Sequence, residues 1–123
     1  MPVARVLLCD DCAPIRELVR LALELEGIEV VGEAGDGEAA IEEAGRSQPD
    51  VVLLDLSMPT MDGLEALPEI RRVAPGSKVV VLSGFDNPGI VARALELGAV
   101  RYVEKGRPPE EIVAAVEEAA AAA

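Results

Sequence analysis

Cys9-Asp10-Asp11-Cys12 sets two thiols around an acidic pair, and either pair could do chemistry. A C-x-x-C in an α/β protein reads as a redox or metal motif. Three more polar positions follow apolar runs in the same way as the acidic pair. Asp55 follows Val51–Leu54, Ser83 follows Val79–Leu82, and Glu104-Lys105 closes the apolar stretch from Ala99. Three aspartates gathered in one place repel, and without help one of them stays protonated. A divalent cation and a lysine relieve that repulsion. Mg2+ takes one or two carboxylates together with waters and phosphate oxygens. Such a set suits transfer of a phosphoryl group to a carboxylate, where positioning and charge neutralisation supply most of the catalysis.

Each residue alone has a plainer explanation. An Asp after a strand is more often a helix cap than a catalyst, and a single Lys is usually solvated. The chemistry therefore depends on elements that bring these residues together. Val3–Cys9 is apolar enough for a buried strand. Pro14 can open a helix, with Ile15, Leu18, Val19, Ala22 and Leu25 at helical spacing and Gly27 as the stop. Glu29–Ala34 reads as a second strand, and Asp36 as the cap of a helix over Ala39–Ala44. Val51–Leu54 has the continuous apolar character of a strand buried on both faces. A helix over Gly63–Val73 contains Pro68, which costs a hydrogen bond or a bend. A turn at Pro75–Ser77 leads to the strand Val79–Leu82. A helix over Pro88–Leu97 ends at Gly98, Ala99–Glu104 is the fifth strand, and the last helix runs from Pro109 to about Ala121. The alanine run Ala119–Ala123 is expected to have nothing to pack against, as a fraying end or the start of a linker.

Strands alternating with helices imply right-handed crossovers and a parallel sheet covered on both faces. Ligands of open parallel sheets bind outside the carboxyl ends of the strands. Those ends carry Asp10 and Asp11, Asp55, Ser83, and Glu104 with Lys105; the second strand ends in Gly35-Asp36-Gly37.

The bulk composition narrows the possibilities. One domain accounts for 123 residues, and the core is aliphatic, because the chain has one Phe, one Tyr and no Trp. A formal net charge of −12 argues against direct nucleic-acid binding and against anionic membranes. No targeting segment or membrane span is expected, and two cysteines suit a reducing cytoplasm. The chain has no histidine, which removes Ser-His-Asp and Cys-His machinery and most zinc sites. Any phosphohistidine chemistry must use another protein's histidine.

"CDD", "LLDLSMPTMDGLEAL", "VVVLSGF" and "LELGAVRYVEKG" stand in an order and spacing that resembles the receiver domain of bacterial two-component response regulators. The resemblance covers essentially the whole chain, 1–123. It implies a single (βα)5 doubly wound domain with a five-stranded parallel sheet of order 2-1-3-4-5. It implies that Asp55 accepts a phosphoryl group from a partner sensor histidine kinase, in a reaction that depends on Mg2+ or Mn2+. Asp11 would hold the ion directly, Asp10 mainly through water, and Asp55 and the Ser57 backbone carbonyl would join them. Ser83 matches the hydroxyl that turns toward the phosphoryl oxygens, Lys105 the lysine that pairs with them, and Tyr102 the aromatic that swings inward. The domain would catalyse only its own phosphorylation and dephosphorylation. Its output face, made by the fourth helix, fifth strand and fifth helix, would then meet an output domain or protein, with a phosphorylation-linked dimer as a further expectation. The competing class is a degenerate receiver, an interaction module of the same fold that is never phosphorylated.

Three departures from the family pattern stand out. Gly106 replaces the proline that often follows the lysine. Pro108 precedes Pro109 where a Ser or Thr often caps the last helix, so that helix lacks a capping oxygen. Ser57 and Phe85 occupy the positions two residues after Asp55 and Ser83 that tune phosphoaspartate lifetime, and Phe85 is expected to screen water. Gly35-Asp36-Gly37-Glu38-Ala39-Ala40 mimics a dinucleotide loop, but Asp36 and Glu38 would oppose a pyrophosphate. An aspartyl-phosphate hydrolase would want a second Asp where Ser57 stands, and a flavin site a phosphate-friendly first loop where Asp10 and Asp11 stand. The two acids between Cys9 and Cys12 raise thiol pKa values rather than lower them, so the carboxylates, not the sulfurs, are the expected reactive groups.

Overall fold

The computed structural model describes residues 3–84 and 88–122. Its elements run β1 (Arg5–Cys9), α1 (Ala13–Leu25), β2 (Glu29–Ala34), α2 (Gly37–Ser47), β3 (Val51–Asp55), α3 (Gly63–Val73), β4 (Lys78–Ser83), α4 (Pro88–Glu96), β5 (Arg101–Glu104) and α5 (Pro109–Ala121). All neighbouring strands pair in parallel, in the order β2-β1-β3-β4-β5. The fold is the doubly wound α/β architecture expected from the sequence.

The alternation of side chains along each strand divides the core in two. Leu7, Cys9, Val52, Leu54, Val79 and Val81 face the side on which Ala40, Ala44, Leu67, Ile70 and Ala94 of α2, α3 and α4 pack. Val6, Leu8, Val51, Leu53, Val80 and Leu82 face Val19 and Leu23 of α1 and Ile112, Val113 and Val116 of α5. The three central strands are apolar on both faces because helices cover both, so their sequences read as unbroken apolar runs rather than alternating ones.

Several boundaries differ from the sequence reading. The first strand begins at Arg5, and Val3 is exposed. The fifth begins at Arg101 although Val100 already donates to the Val79 carbonyl. On α1 only Val19 and Leu23 are buried, while Leu18 and Leu25 are exposed along with Leu21. Ala119 is buried against the α1–α5 side of the core, so the start of the alanine run does have a packing partner. α3 continues through Pro68, which has no N–H to give to the Leu64 carbonyl one turn earlier. Pro68 is exposed, so water can serve that carbonyl.

The helix starts follow local chemistry. Asp36 Oδ1 accepts from the Ala39 amide at 2.8 Å, and Asp62 Oδ1 from the Glu65 amide at 2.9 Å. α5 begins after Pro108 with no side-chain cap, as expected, but Glu110 and Glu111 place negative charge at its positive end. Gly27 and Gly98 end α1 and α4 with φ of 78° and 110°. Among the described residues no helix is long and apolar enough to cross a membrane.

Candidate functional site

Parallel pairing places the carboxyl ends of β1, β3, β4 and β5 along one edge of the sheet. Asp55 is the last residue of β3, in register with Leu82. Asp10 follows β1, and its amide donates to the Ala34 carbonyl of β2 at 3.0 Å. Ser83 ends β4 opposite Glu104, and the Lys105 amide donates to the Ser83 carbonyl at 2.8 Å. The backbone ladder thus delivers Lys105 to the edge where the aspartates gather.

Among the described residues, Asp55, Asp10 and Ser83 are the buried polar ones, at 0%, 3% and 6% exposure. Asp10, Asp11 and Asp55 each offer a carboxylate oxygen within 4.8 Å of the others, with Asp11 on the exposed side. Lys105 Nζ donates to Asp55 Oδ2 at 2.6 Å and lies 3.1 Å from Asp10 Oδ2. The other Asp55 oxygen, Oδ1, accepts from the Ser57 amide at 2.9 Å, and Asp10 Oδ1 accepts from the Cys12 amide at 2.9 Å. Burial raises the Asp55 carboxyl pKa above the usual range. Its bonds from Lys105 and Ser57 pull it back without cancelling the rise, and the Asp10 charge adds to it. For Lys105, burial pulls downward, but the hydrogen bond to Asp55 and the ion pair with Asp10 outweigh it and raise its pKa, which keeps the ammonium charged.

The donor set fits a hard divalent cation. Three carboxylates face one ammonium, leaving a surplus of negative charge in a partly buried space. Asp10 Oδ2 is buried without a hydrogen bond, with Lys105 Nζ 3.1 Å away as its ion-pair partner. Oxygen-only ligands of this kind suit Mg2+ or Mn2+ rather than softer metals.

The remaining residues named from the sequence fall as follows. Tyr102 sits on β5 opposite Val81, half-buried against the α2–α4 side of the core. The Ser57 side chain is exposed while its amide is turned to Asp55. Phe85 lies outside the described residues. Gly106 has φ of 91°, a conformation closed to the proline whose place it takes. Cys9 is buried at the end of β1, and burial, then Asp10 and Glu43, push its thiol pKa far above the ordinary range. Both cysteines are free. In the Gly35-Asp36-Gly37 loop, a Cβ on Gly37 would lie 2.5 Å from the Met61 carbonyl oxygen. That glycine admits the loop after β3, which accounts for it without a phosphate ligand.

Nothing in the sequence singled out Arg16. Its guanidinium donates through NH1 to the Asp10 carbonyl at 2.5 Å and through Nε to Glu33 Oε1 at 2.9 Å. The one available signal was position: it lies in the first turns of the helix that follows the acidic pair, and helix N-termini seldom gain from a cation.

Residues 6–117 match the response regulator receiver domain family. The chain is 35% identical to the chemotaxis protein CheY of Thermotoga maritima, across 91% of this chain and 93% of that one. It is 42% identical to the transcriptional regulatory protein PdtaR of Mycobacterium tuberculosis, across 92% of this chain and 55% of that protein. It thus spans about half the length of some curated relatives it matches, or less. The solved receiver domain of the M. tuberculosis response regulator NarL superposes with a TM-score of 0.92 at 41% identity, covering 98% of each chain. On fold, sequence and the order of its strands, the chain belongs to the receiver domains of two-component response regulators.

Proposed function

We propose that the domain fills the chain and works as a phosphorylation switch whose acceptor is Asp55. The observation that carries this is the buried Asp55 carboxylate, held between Lys105 Nζ and the Ser57 amide and crowded by two more aspartates. An Asp55 oxygen attacks the phosphorus of a phosphohistidine on a partner kinase, an O–P bond forms, and the P–N bond breaks with the electron pair leaving on the imidazole. Lys105 orients the carboxylate beforehand and pairs with a phosphoryl oxygen afterwards. Asp10, Asp11, Asp55 and the Ser57 carbonyl would hold Mg2+ or Mn2+, which when bound neutralises charge on the carboxylates and on the incoming phosphoryl oxygens. Ser83, buried at the end of β4 beside Lys105, supplies a hydroxyl to a phosphoryl oxygen. Tyr102 follows that movement and alters the α4–β5–α5 face, which meets the output partner.

The site opening supports approach of a protein donor. An apolar groove lined by Ile15, Leu18, Leu82, Pro109 and Ile112 has Lys105 on its wall, so a helix seated there lies next to Asp55. Donor and switch act in the cytoplasm. Treatment with a small-molecule phosphodonor and Mg2+, followed by borohydride reduction and peptide mapping, should convert Asp55 alone to homoserine. Conversion elsewhere, or nowhere with the fold intact, would leave a receiver used only as a binding module.

A further inference from the structure

We propose that Arg16 is a positioning residue that clamps the acidic-pair loop in the geometry the cation needs; this rests on the metal reading just given. β1 pairs with β2 as far as Cys9 and Ala34, and the Asp10 amide extends the ladder by one bond to the Ala34 carbonyl. Beyond that rung it is a side chain, Arg16, that binds the Asp10 carbonyl, at 2.5 Å. The same guanidinium is anchored to β2 through Glu33 Oε1 at 2.9 Å, and Arg20 NH1 holds the other Glu33 oxygen at 2.5 Å. It lies 3.7 Å from where a Cβ on Gly35 would stand, covering the end of β2. Arg16 is 22% exposed, so the fork is well shielded.

The consequence for the site follows from peptide planarity. Fixing the Asp10 carbonyl fixes the plane that also carries the Asp11 nitrogen and Cα. Asp10 Oδ1 holds the Cys12 amide on the other side of Asp11. Asp11, the exposed member of the carboxylate cluster, is therefore pinned at both flanking peptides, although its own side chain is open to solvent. The loop is set before any ion arrives, so binding need not order it.

The sign of one measurement separates this role from electrostatics. A cation beside a metal site repels the metal, so removing the Arg16 charge should by electrostatics alone tighten Mg2+ binding. Loss of the clamp should loosen it. Mg2+ titration of the metal-free protein by calorimetry should show Arg16→Met raising Kd roughly tenfold, the scale seen when groups that orient metal ligands are removed. Phosphorylation from a small-molecule donor should need correspondingly more Mg2+, with the rate at saturating Mg2+ within about twofold of wild type. In the metal-free protein, backbone NMR should show the Asp11 and Cys12 amides shifted. Arg16→Lys keeps the charge without the fork and should also bind weakly; full affinity in that variant would overturn the clamp. Glu33→Gln gives a milder loosening and serves if Arg16→Met fails to fold. Arg20→Met, which leaves the Asp10 bond in place, should change Kd less than twofold. Unchanged or tighter binding in Arg16→Met, with wild type binding Mg2+ normally, would overturn the clamp alone. A wild type that does not bind Mg2+ would overturn the metal reading and the clamp with it.

Discussion

Gly63 ties the fold to the site most tightly, and Gly63→Ala is the perturbation we develop. Gly63 opens α3, and its amide donates back to the Leu56 carbonyl at 3.1 Å. A Cβ there would stand 2.4 Å from the Asp55 carbonyl oxygen and 2.7 Å from Leu56 Cα, where ordinary contact begins at 3.4 Å. About 1 Å of separation must be found, and both obstacles are backbone. The end of β3 is not free to supply it, because the Leu56 amide is bonded to the Leu82 carbonyl at 3.0 Å. Either α3 is pushed off the sheet or Asp55 moves away from Lys105. Overpacking of this kind costs ~1–3 kcal/mol, which in a domain of this size lowers Tm by about 4–12 °C. A displacement approaching 1 Å at the acceptor slows reaction by up to about 100-fold. Thermal melts and phosphorylation rates at saturating Mg2+ measure the two effects. Gly76→Ala is the control: no atom lies within 4 Å of its added Cβ, so neither Tm nor rate should fall. If Gly63→Ala matched Gly76→Ala in both assays, the close approach of α3 to the acceptor strand would not constrain the site, and the reasoning would fail.

Two further predictions concern buried titratable groups. Asp55 binds its proton more tightly folded than unfolded, so its ionisation costs stability, and that cost grows as pH rises from the unfolded pKa through the raised folded one. Asp55→Asn should therefore melt about 2–5 °C higher than wild type without metal, the shift ~1 kcal/mol produces in such a domain, since Lys105 keeps Asp10 as partner. Added Mg2+ should narrow that gap by stabilising wild type; a variant that melts lower without metal would contradict the order of effects. Cys9 is shielded by burial and by its raised thiol pKa, so native alkylation should add one group at most, at Cys12, and two only after unfolding. A native adduct on Cys9 counted by peptide mass would refute the packing at the end of β1.

Much of this was legible in the residues because parallel strands have a shared polarity. Once Val51–Leu54 and Val79–Leu82 read as buried strands, Asp55 and Ser83 had to fall at the same edge as Asp10 and Lys105. Glu29–Ala34 and the Asp36 cap could be read from local chemistry alone. The order of the strands could not, since apolar runs carry no label of their neighbours; it came with the family resemblance. Helix α1 shows why amphipathic spacing overreaches. Leu18 and Leu25 share the helical spacing with Ile15, Val19 and Ala22, yet the face that packs on the core holds Ile15, Val19, Ala22 and Leu23 while Leu18, Leu21 and Leu25 are exposed. The ends of β1 and β5 read long because Val3, Ala99 and Val100 are apolar, and apolar character does not mark where the paired register begins. Arg16 stayed hidden because its role is a bond to a backbone carbonyl, and a sequence records side chains rather than the carbonyls left over at strand ends.

The central claim is that this chain takes a phosphoryl group on Asp55 with a divalent cation's help. The most direct measurement is intact mass after incubation with a small-molecule phosphodonor, run with Mg2+, with chelator, and on Asp55→Asn. The account predicts one added phosphoryl group with Mg2+ and none in the other two samples. A gain that survives chelation or the Asp55→Asn change, or no gain in wild type that is folded and binds Mg2+, would contradict it.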